Sequence, residues 1–294
     1  MSGLPEVNFR DSAVMVDIFQ RASRSMLASP LRRGSLVHLP PRGRLLATGD
    51  VHDFPGHLAA IVQLAELSES QDHHVMLHEL IHGESLVNGM DFSYRNLALV
   101  AELVNLFPLQ VHPILANHEL AQCFRLSVSK GGGDQVAMFD DGLDYCFGET
   151  AEEVATAIRE FVLAMPLALR AENGLWCSHS VPNRIDFDRT AFDRALTRDD
   201  YSAPAGTAWS FVWGRTHDPA HIAELLKICG CSLFVVGHCH TEMGIESPAP
   251  GLVVINSDHE RGAVVPIELG CPLPSEADIV RSAIPLGLYR KVDE

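Results

Sequence analysis

The chain has 294 residues, of which 47% are hydrophobic and 20% charged, and its formal net charge is −16. The hydrophobic fraction is typical of a globular protein with a substantial core. The acidic excess argues against binding to nucleic acids or anionic membranes, because both attract basic surfaces. It does not exclude a phosphorylated substrate, since a bound metal ion can reverse the local field.

The hydrophobic pattern predicts alternating helices and strands in the first part of the chain. Residues 11–29 have apolar side chains at helical spacing and end before Pro30. Strands are predicted over residues 44–48, 73–77 and 109–115, with helices over residues 54–70 and 91–108 between them. Polar residues follow each strand in this β-α-β-α-β order, and open α/β sheets carry their sites at that edge.

The remaining sequence predicts an insertion, a second series of strands and a tail. Residues 120–166 are expected to be a mostly helical insertion, whose Gly-rich stretch 129–134 lacks the G-K-[S/T] ending of a phosphate-binding loop. Strands and one helix are predicted between residues 166 and 268, and residues 272–294 form a tail without a motif. We interpret residues 1–294 as a single domain.

No segment predicts export or insertion into a membrane. The N-terminus lacks a charged start followed by an apolar run, and no stretch approaches the ~18 consecutive apolar residues of a membrane span. The seven cysteines have neither disulfide-framework nor C-x-x-C spacing. We therefore expect a cytoplasmic protein that has no membrane partner.

Oxygen and imidazole donors follow the predicted strands in an ordered series. In chain order they are Asp50 and His52; His78 and Glu79; Asn117, His118 and Glu119; Ser178 and His179; and His238 and His240. Mixed Asp, Asn and His ligands suit Mn, Fe, Zn or a similar divalent ion rather than a structural cysteine-zinc site. The series contains more donors than one ion needs, which indicates a two-metal centre.

The series resembles that of the calcineurin-like metallophosphoesterases. The stretches "GDVHD", "ANHE", "CSHS" and "GHCH" occur in the family's order between residues 49 and 240. The resemblance implies an α/β fold, a four-layer α/β/β/α sandwich of two mixed β-sheets. It also implies hydrolysis of a phosphate ester, borne by a small molecule, a nucleotide or a phosphoprotein. The expected cofactors are two divalent metal ions, manganese foremost, with iron, zinc or nickel as alternatives.

The same resemblance implies a role for each donor. Asp50, His52 and His240 would hold one ion, and Asn117, His179 and His238 would hold the other, with Glu79 as the carboxylate between them. A hydroxide between the ions would attack phosphorus in line. The catalytic residues would be Asp50, through its ion, and His118, which would protonate the leaving group as general acid.

The second motif departs from the family pattern G-D-x-x-D-R-G. In "HELIHGE", His78 occupies the first glycine position, Glu79 the bridging aspartate, His82 the second aspartate and Gly83 the arginine. In relatives that resemble protein Ser/Thr phosphatases, that aspartate orients the catalytic histidine and that arginine holds the phosphate. Arg95 or Arg215 is a candidate to bind the phosphate instead. His82 either pairs with His118 or fills space.

Two alternatives remain open from the sequence. Residues 78–82 also match the H-E-x-x-H pattern of zinc peptidases, which requires both histidines on one helix face, with Glu102 as a possible third ligand. That hypothesis leaves the donors around Asp50, Asn117 and His238 without a role. The other alternative is a metallophosphoesterase fold that is catalytically impaired and serves as a binding module.

Overall fold

A computed structural model describes residues 3–126, 129–130 and 133–289 of the protein. Its first elements are α1 (Ser12–Leu27), β1 (Arg32–Arg33), β2 (Leu36–His38), β3 (Arg44–Thr48), α2 (Pro55–Ala65), β4 (His73–Leu77), α3 (Tyr94–Leu106), β5 (Val111–Pro113) and α4 (Asn117–Phe124). Apart from β1, β2 and α4, which were not predicted, they follow the strand and helix order that the hydrophobic pattern predicts for this part of the chain.

The next elements include those of the predicted insertion. They are β6 (Ser129–Lys130), β7 (Gly133–Asp134), α5 (Gln135–Phe147), α6 (Ala151–Ala164), β8 (Ala168–Arg170), β9 (Leu175–Ser178), α7 (Thr207–Trp213) and α8 (Pro219–Cys229). Strands β6 and β7 pair as a small antiparallel hairpin within the Gly-rich stretch, whose residues 131–132 lie outside the described part of the chain. Helix α6 packs against α1, α4 and α5.

The final elements are β10 (Leu233–Val236), β11 (Ile245–Ala249), β12 (Leu252–Ile255), β13 (Ala263–Glu268), α9 (Glu276–Ser282) and β14 (Ile284–Pro285). Short 3₁₀ helices occur at Gly148–Thr150, Arg189–Phe192, Arg198–Tyr201 and Leu286–Tyr289. The predicted tail is therefore folded as far as residue 289. Helix α9 packs on β11, β12 and β13, while β14 pairs with β13, because Ile279 and Leu286 are apolar and become buried there.

The strands form two mixed sheets. One has the order β1-β2-β8-β9-β10-β12-β11, and the other has the order β14-β13-β3-β4-β5. Strands β9, β10 and β12 are parallel in the first sheet, and β3, β4 and β5 are parallel in the second. The carboxyl ends of these parallel strands are the expected position of a site.

Alternate residues of the central strands enter two different cores. Leu45 and Val235 belong to the apolar layer between the sheets, whereas Leu46 and Phe234, their neighbours along the chain, belong to the larger cluster that includes the helices. This alternation follows from the two-residue repeat of a strand. The two sheets thus lie face to face with helices on both outer sides, which confirms the predicted α/β/β/α sandwich.

The two sheets meet at Asp50, just beyond β3. Asp50 forms parallel bridges with His78, beyond β4, and with Asn256, beyond β12. The ends of strands from both sheets are thereby brought to one place. None of the helices in the described part of the chain combines the length and apolar character needed to cross a membrane.

Candidate metal centre

The predicted donors surround a cleft of about 760 Å³ at the carboxyl ends of the strands. Among the residues that line it are Asp50, His52, Glu79, Asn117, His118, Arg215, His238 and His240, all of which the sequence predicts as site residues. Asp53, Trp213, Asn256, Asp258 and His259 also line the cleft. His179 lies beneath these residues and is fully buried.

Four residues at the strand ends have left-handed backbone conformations. The φ angles are 47° at His52, 52° at Glu79, 61° at His82 and 64° at His238. A non-glycine residue in this region costs on the order of 1–3 kcal/mol and persists only where surrounding contacts impose it. The turns that direct these side chains into the site are therefore held at a cost in stability, as is common at functional sites.

Glu79 occupies the position expected for a bridging carboxylate. Its Oε1 lies 3.5 Å from Nε2 of His118 and 4.0 Å from Nε2 of His52. Its Oε2 lies 3.5 Å from Nε2 of His179. The two oxygens thus face two different sets of donors, which is the geometry that a carboxylate needs to contact two ions.

One set of donors is tightly packed; we call Asn117, His179 and His238 the buried half. Nε2 of His179 lies 2.6 Å from Oδ1 of Asn117 and 3.1 Å from Nδ1 of His238. Asn117 is placed there as the first residue of α4, and His179 directly follows β9. Ligands bound at ~2.0–2.1 Å to one tetrahedral zinc ion lie roughly 3.3 Å apart, so these atoms would need to separate by less than about 1 Å to share an ion.

The other set is looser; we call His52, Asp258 and His240 the open half. Nδ1 of His52 lies 2.9 Å from the carbonyl oxygen of Ile81 and therefore donates a hydrogen bond to it. In the neutral ring the lone pair is then on Nε2. That nitrogen lies 3.8 Å from Oδ2 of Asp258. His240 is exposed at the cleft rim with its ring 5.3 Å from that of His259.

Asp258 is a site residue that sequence reasoning missed. Its carboxylate faces His52, where the resemblance places His240, and it lies three residues beyond β12. The polar "NSD" after an apolar strand is the same signal that identifies the other donors. Within the described residues, neither Asp258 nor His240 belongs to the three groups of His and carboxylate side chains with metal-ligand spacing, so the preference for Asp258 rests on its position opposite His52.

Asp50 lies beside the buried half and is held there by the backbone. The amide of His238 donates to both carboxylate oxygens, at 2.9 and 3.1 Å. Burial raises the pKa of Asp50 from 3.8 to about 8, against the opposing effect of that amide hydrogen bond. A charged Asp50 is thus costly in the protein alone, and a nearby cation would offset this cost.

His78 is a second residue whose role the sequence did not reveal. It is fully buried. Its Nε2 lies 3.0 Å from the carbonyl oxygen of Thr48, and its Nδ1 lies 2.9 Å from Nδ1 of His179. It therefore lies directly behind a predicted metal ligand, in a position where the family pattern has no side chain.

His82 pairs with a carboxylate supplied by a later residue. Its Nδ1 lies 2.9 Å from Oδ2 of Asp91, whose other oxygen accepts from the amide of Ser93. The ring of His82 is 5.4 Å from that of His118, and both His82 and Asp91 are buried. The Asp91 carboxylate thus holds the His82 imidazole, and that imidazole occupies the position of the family aspartate beside His118.

Gly83, where the family pattern has arginine, lies closely against Asp53. A Cβ built on Gly83 would lie 2.5 Å from Cβ of Asp53, so this loop does not accommodate a side chain. Of the two candidate replacements, Arg215 lines the cleft and donates from Nη1 to the carbonyl of His238 at 3.0 Å. The guanidinium of Arg95 instead packs over the ring of Phe92, 4.9 Å from its centroid.

The residues present fit divalent metal ions. Three groups bring their ligand atoms within 4.8 Å of one another: Asp50, His78 and His179; His52, Glu79 and His118; and Glu79, His179 and His238. Burial lowers the pKa of His238 to about 3 and that of His179 well below 6.5, so these imidazoles are neutral. Neutral imidazoles combined with carboxylates are the ligand set of Mn, Fe and Zn sites.

The zinc-peptidase alternative is wrong. Residues 78–82 follow β4 as an irregular segment with left-handed backbone at Glu79 and His82, whereas the peptidase motif requires a helix. The rings of His78 and His82 consequently have different neighbours, Thr48 and His179 for the first and Asp91 and His118 for the second. They do not converge as a pair of ligands for one zinc ion.

Comparison with solved structures agrees with the fold. A Saccharomyces cerevisiae protein serine/threonine phosphatase with similarity to human phosphatase PP5 superposes with a TM-score of 0.63 at 15% identity, covering 87% of this chain and 82% of the other. A cold-active protein-tyrosine phosphatase of a psychrophilic Shewanella superposes with a TM-score of 0.52 at 12% identity, covering 84% and 80%. These likenesses concern the fold.

Sequence comparison gives the family itself. No curated protein sequence matches the chain significantly. The sequence pattern described as calcineurin-like phosphoesterase, however, matches residues 43–242, about two-thirds of the chain and all of the strand-end donors except Asp258. The chain belongs to the calcineurin-like phosphoesterase family, whose members hydrolyse phosphate esters with divalent metal ions.

Proposed function

We propose that the protein is a phosphomonoesterase with a dinuclear metal centre. The observation that carries this proposal is the placement of Glu79, whose two carboxylate oxygens face different donor sets. The buried half, Asn117, His179 and His238, would hold one ion. Asp50 and His52 would hold the other, with Asp258 or His240 completing its ligands. Manganese is the expected metal, and a cytoplasmic location stays a prediction from the sequence.

When bound, two divalent ions supply a hydroxide nucleophile at neutral pH and neutralise charge on the phosphate oxygens. The protein's own contribution is to place the phosphate and the leaving group. Arg215 lines the cleft and is exposed, which favours it over Arg95 as the residue that binds a phosphate oxygen. Its contact with the carbonyl of His238 orients the guanidinium beside the buried half.

His118 is the proposed general acid. Its Nε2 lies 3.5 Å from Glu79, it lines the cleft, and the ring of His52 lies 5.1 Å away. A histidine suits proton donation to a leaving alkoxide because its ordinary pKa is near neutral pH. The pair of His82 and Asp91 packs beside His118 and would take over the orienting role that an aspartate has in related phosphatases.

The substrate is proposed to be a phosphate monoester with an accessible phosphate. The cleft is open and large enough for an aryl phosphate or a phosphorylated side chain. Both structural neighbours are described as protein phosphatases. Phosphoserine, phosphothreonine and phosphotyrosine peptides therefore come first in a substrate panel, followed by nucleotides and small phosphorylated metabolites.

The test combines metal analysis with turnover. We expect two divalent ions per chain and hydrolysis of p-nitrophenyl phosphate in the presence of Mn²⁺. Asn117→Ala should lower the metal content and the activity together. His118→Asn should lower activity while metal content is retained. Bound metal without hydrolysis of any phosphoester in the panel would contradict this proposal and favour a binding module.

A further inference from the structure

We propose that His78 is a positioning residue for the metal ligand His179. It would accept a hydrogen bond from the Nδ1–H group of His179 and thereby direct the lone pair on Nε2 of His179 towards Asn117 and His238. The inference rests on the proposed function only in requiring that the buried half binds a metal ion. The family pattern has glycine at this position, so the hydrogen bond between His78 and His179 is a feature of this chain and not of the family pattern.

The carbonyl oxygen of Thr48 fixes the tautomer of His78. A carbonyl only accepts hydrogen bonds, so the imidazole nitrogen 3.0 Å away, Nε2 of His78, is the donor. A neutral imidazole has one donor and one acceptor nitrogen. Nδ1 of His78 therefore carries a lone pair. The side chain of His78 is fully buried, which favours its neutral form.

The contact with His78 in turn fixes the tautomer of His179. Its Nδ1 lies 2.9 Å from Nδ1 of His78, which has only a lone pair to offer, so Nδ1 of His179 must donate. Nε2 of His179 is then the nitrogen with the lone pair. That atom faces Oδ1 of Asn117 at 2.6 Å. Two lone pairs at this distance repel each other unless a cation lies between them, which is the arrangement of two ligands of one metal ion.

This arrangement matches a general requirement of metal sites. A histidine ligand usually donates its other ring N–H to a carboxylate, a carbonyl or water, which fixes its tautomer and ring orientation. His52 meets the requirement with the carbonyl of Ile81. His179 meets it with a second imidazole, which in turn is anchored on the carbonyl of Thr48.

A direct metal contact by His78 is a competing role, which its geometry disfavours. Asp50, His78 and His179 have ligand spacing. An ion at that point would bind Nδ1 of His179, while Nε2 of the same ring serves the buried half. His179 would then have to lose both ring protons and act as an imidazolate bridge. Acceptance of a hydrogen bond by His78 requires no such deprotonation.

The space for His78 depends on a neighbouring glycine. A Cβ built on Gly237 would lie 2.6 Å from Cε1 of His78 and 2.2 Å from Oδ1 of Asp50. Gly237 also donates its amide to the carbonyl of His179 at 3.0 Å. The glycine of "GHCH" therefore leaves room for the His78 ring beside Asp50 and His179.

The experiment compares two substitutions of His78 with a matched control. His78→Leu removes the acceptor, whereas His78→Asn places an amide oxygen near the position of Nδ1. The control is His112→Leu, because His112 and His74 form another buried imidazole pair, 3.2 Å apart, on β5 and β4 themselves rather than beyond their ends. Zn²⁺ affinity is measured by calorimetry against a competing chelator, with circular dichroism to check folding.

We expect His78→Leu to weaken binding of one Zn²⁺ by about 10–100-fold, the usual effect of losing such a partner. The second Zn²⁺ should bind almost unchanged, His78→Asn should lie closer to the wild type, and His112→Leu should match it. In ¹⁵N-histidine spectra of the Zn²⁺-loaded wild type, His179 should be protonated at Nδ1. If His78→Leu cannot fold, His78→Asn and this tautomer still decide the question.

Two results would separate the inference from the function on which it rests. Unchanged affinity in His78→Leu, or a His179 that lacks the Nδ1 proton, overturns the role of His78 alone. An absence of Zn²⁺ and Mn²⁺ binding by the wild type overturns the proposed metal centre and this inference with it.

Discussion

The buried half and the open half of the candidate metal centre differ in how their donors are held. In the buried half, Oδ1 of Asn117 and Nδ1 of His238 both lie within 3.1 Å of Nε2 of His179. In the open half, Nε2 of His52 is 3.8 Å from Asp258, and His240 is exposed at the rim. Burial and backbone anchoring therefore organise one half in advance, whereas the other half would have to close around its ion.

This difference predicts unequal affinities. A site whose ligands already converge loses less conformational freedom on binding than one whose ligands must move. We therefore expect the buried half to retain its ion during dialysis more firmly than the open half does. The following substitutions test this comparison, beginning with the one that affects both halves.

Glu79→Ala should have the largest effect. It removes the carboxylate whose oxygens face both halves, so both ions should bind weakly, and kcat/KM for p-nitrophenyl phosphate should fall by roughly 1,000-fold or more. Glu84→Ala, a change at the cleft rim, is the control. Metal content by mass spectrometry and initial rates check both expectations. A variant that loses one ion only would show that Glu79 serves a single half.

His82→Ala should separate chemistry from metal binding. His82 touches His118, which lies on the side of the open half, and its carboxylate partner is Asp91. We expect kcat to fall by about 10-fold for phenyl phosphate, a fraction of the effect of losing a general acid. It should fall little for 2,4-dinitrophenyl phosphate, whose leaving group needs no proton.

The control for His82 is the affinity for metal. Binding of both ions should be unchanged in His82→Ala and in Asp91→Asn. An equal loss of rate for both substrates would contradict an orienting role towards the general acid, because such a role matters only when the leaving group must be protonated.

A pair of substitutions in the open half should have smaller effects. Asp258→Asn is expected to weaken binding of the second ion by about 10-fold, while His240→Ala should change its affinity by less than ~3-fold, because the Asp258 carboxylate lies 3.8 Å from Nε2 of His52 whereas His240 is exposed at the rim. Titration with Mn²⁺ followed by electron paramagnetic resonance measures both. The reverse order would mean that His240 turns inward when the ion binds, as the family pattern implies.

The smallest effect concerns the stability of the metal-free protein as pH changes. The folded-state pKa of Asp50 is raised from 3.8 to about 8. Its contribution to the free energy of unfolding is therefore fully present below pH 3.8 and is lost as the pH rises from 3.8 to 8. The folded-state pKa values of His78 and His238 are lowered from 6.5 to about 4 and about 3, respectively. Their contribution to the free energy of unfolding is therefore present above pH 6.5 and is lost as the pH falls below that value.

His112, whose pKa is lowered by burial to about 3, acts in the same direction as these two histidines, while Asp53, whose pKa is raised to about 6, acts in the same direction as Asp50. Between pH 4 and 6.5 the three histidines outweigh the two aspartates. Tm in EDTA should therefore pass through a maximum near pH 6.5 and decrease towards pH 8. Asp50→Asn should abolish that decrease, and Mn²⁺ should do the same in the wild type. Differential scanning fluorimetry over this pH range checks the result, and a decrease that persists in Asp50→Asn would point to another buried group.

Much of the site could be predicted because its donors are local to strand ends. A strand followed by Asp50, Glu79, Asn117, His179 or His238 predicts a donor at one sheet edge, since parallel strands bring their carboxyl ends together. All five residues lie at that edge. Asp258 follows the same rule, but its context matched no motif, and it was missed for that reason.

The sequence by itself determined the main order of strands and helices and most of the strand-end donors, because the alternation of apolar residues and the positions of turns act along a few consecutive residues. The sandwich followed from the resemblance of those donors to a family pattern. Only the tertiary structure decided the partners. His78 meets His179 across 101 positions, and Gly83 is closed off by Asp53 from another loop. Such contacts depend on which strands become neighbours and on left-handed turns that no local pattern specifies.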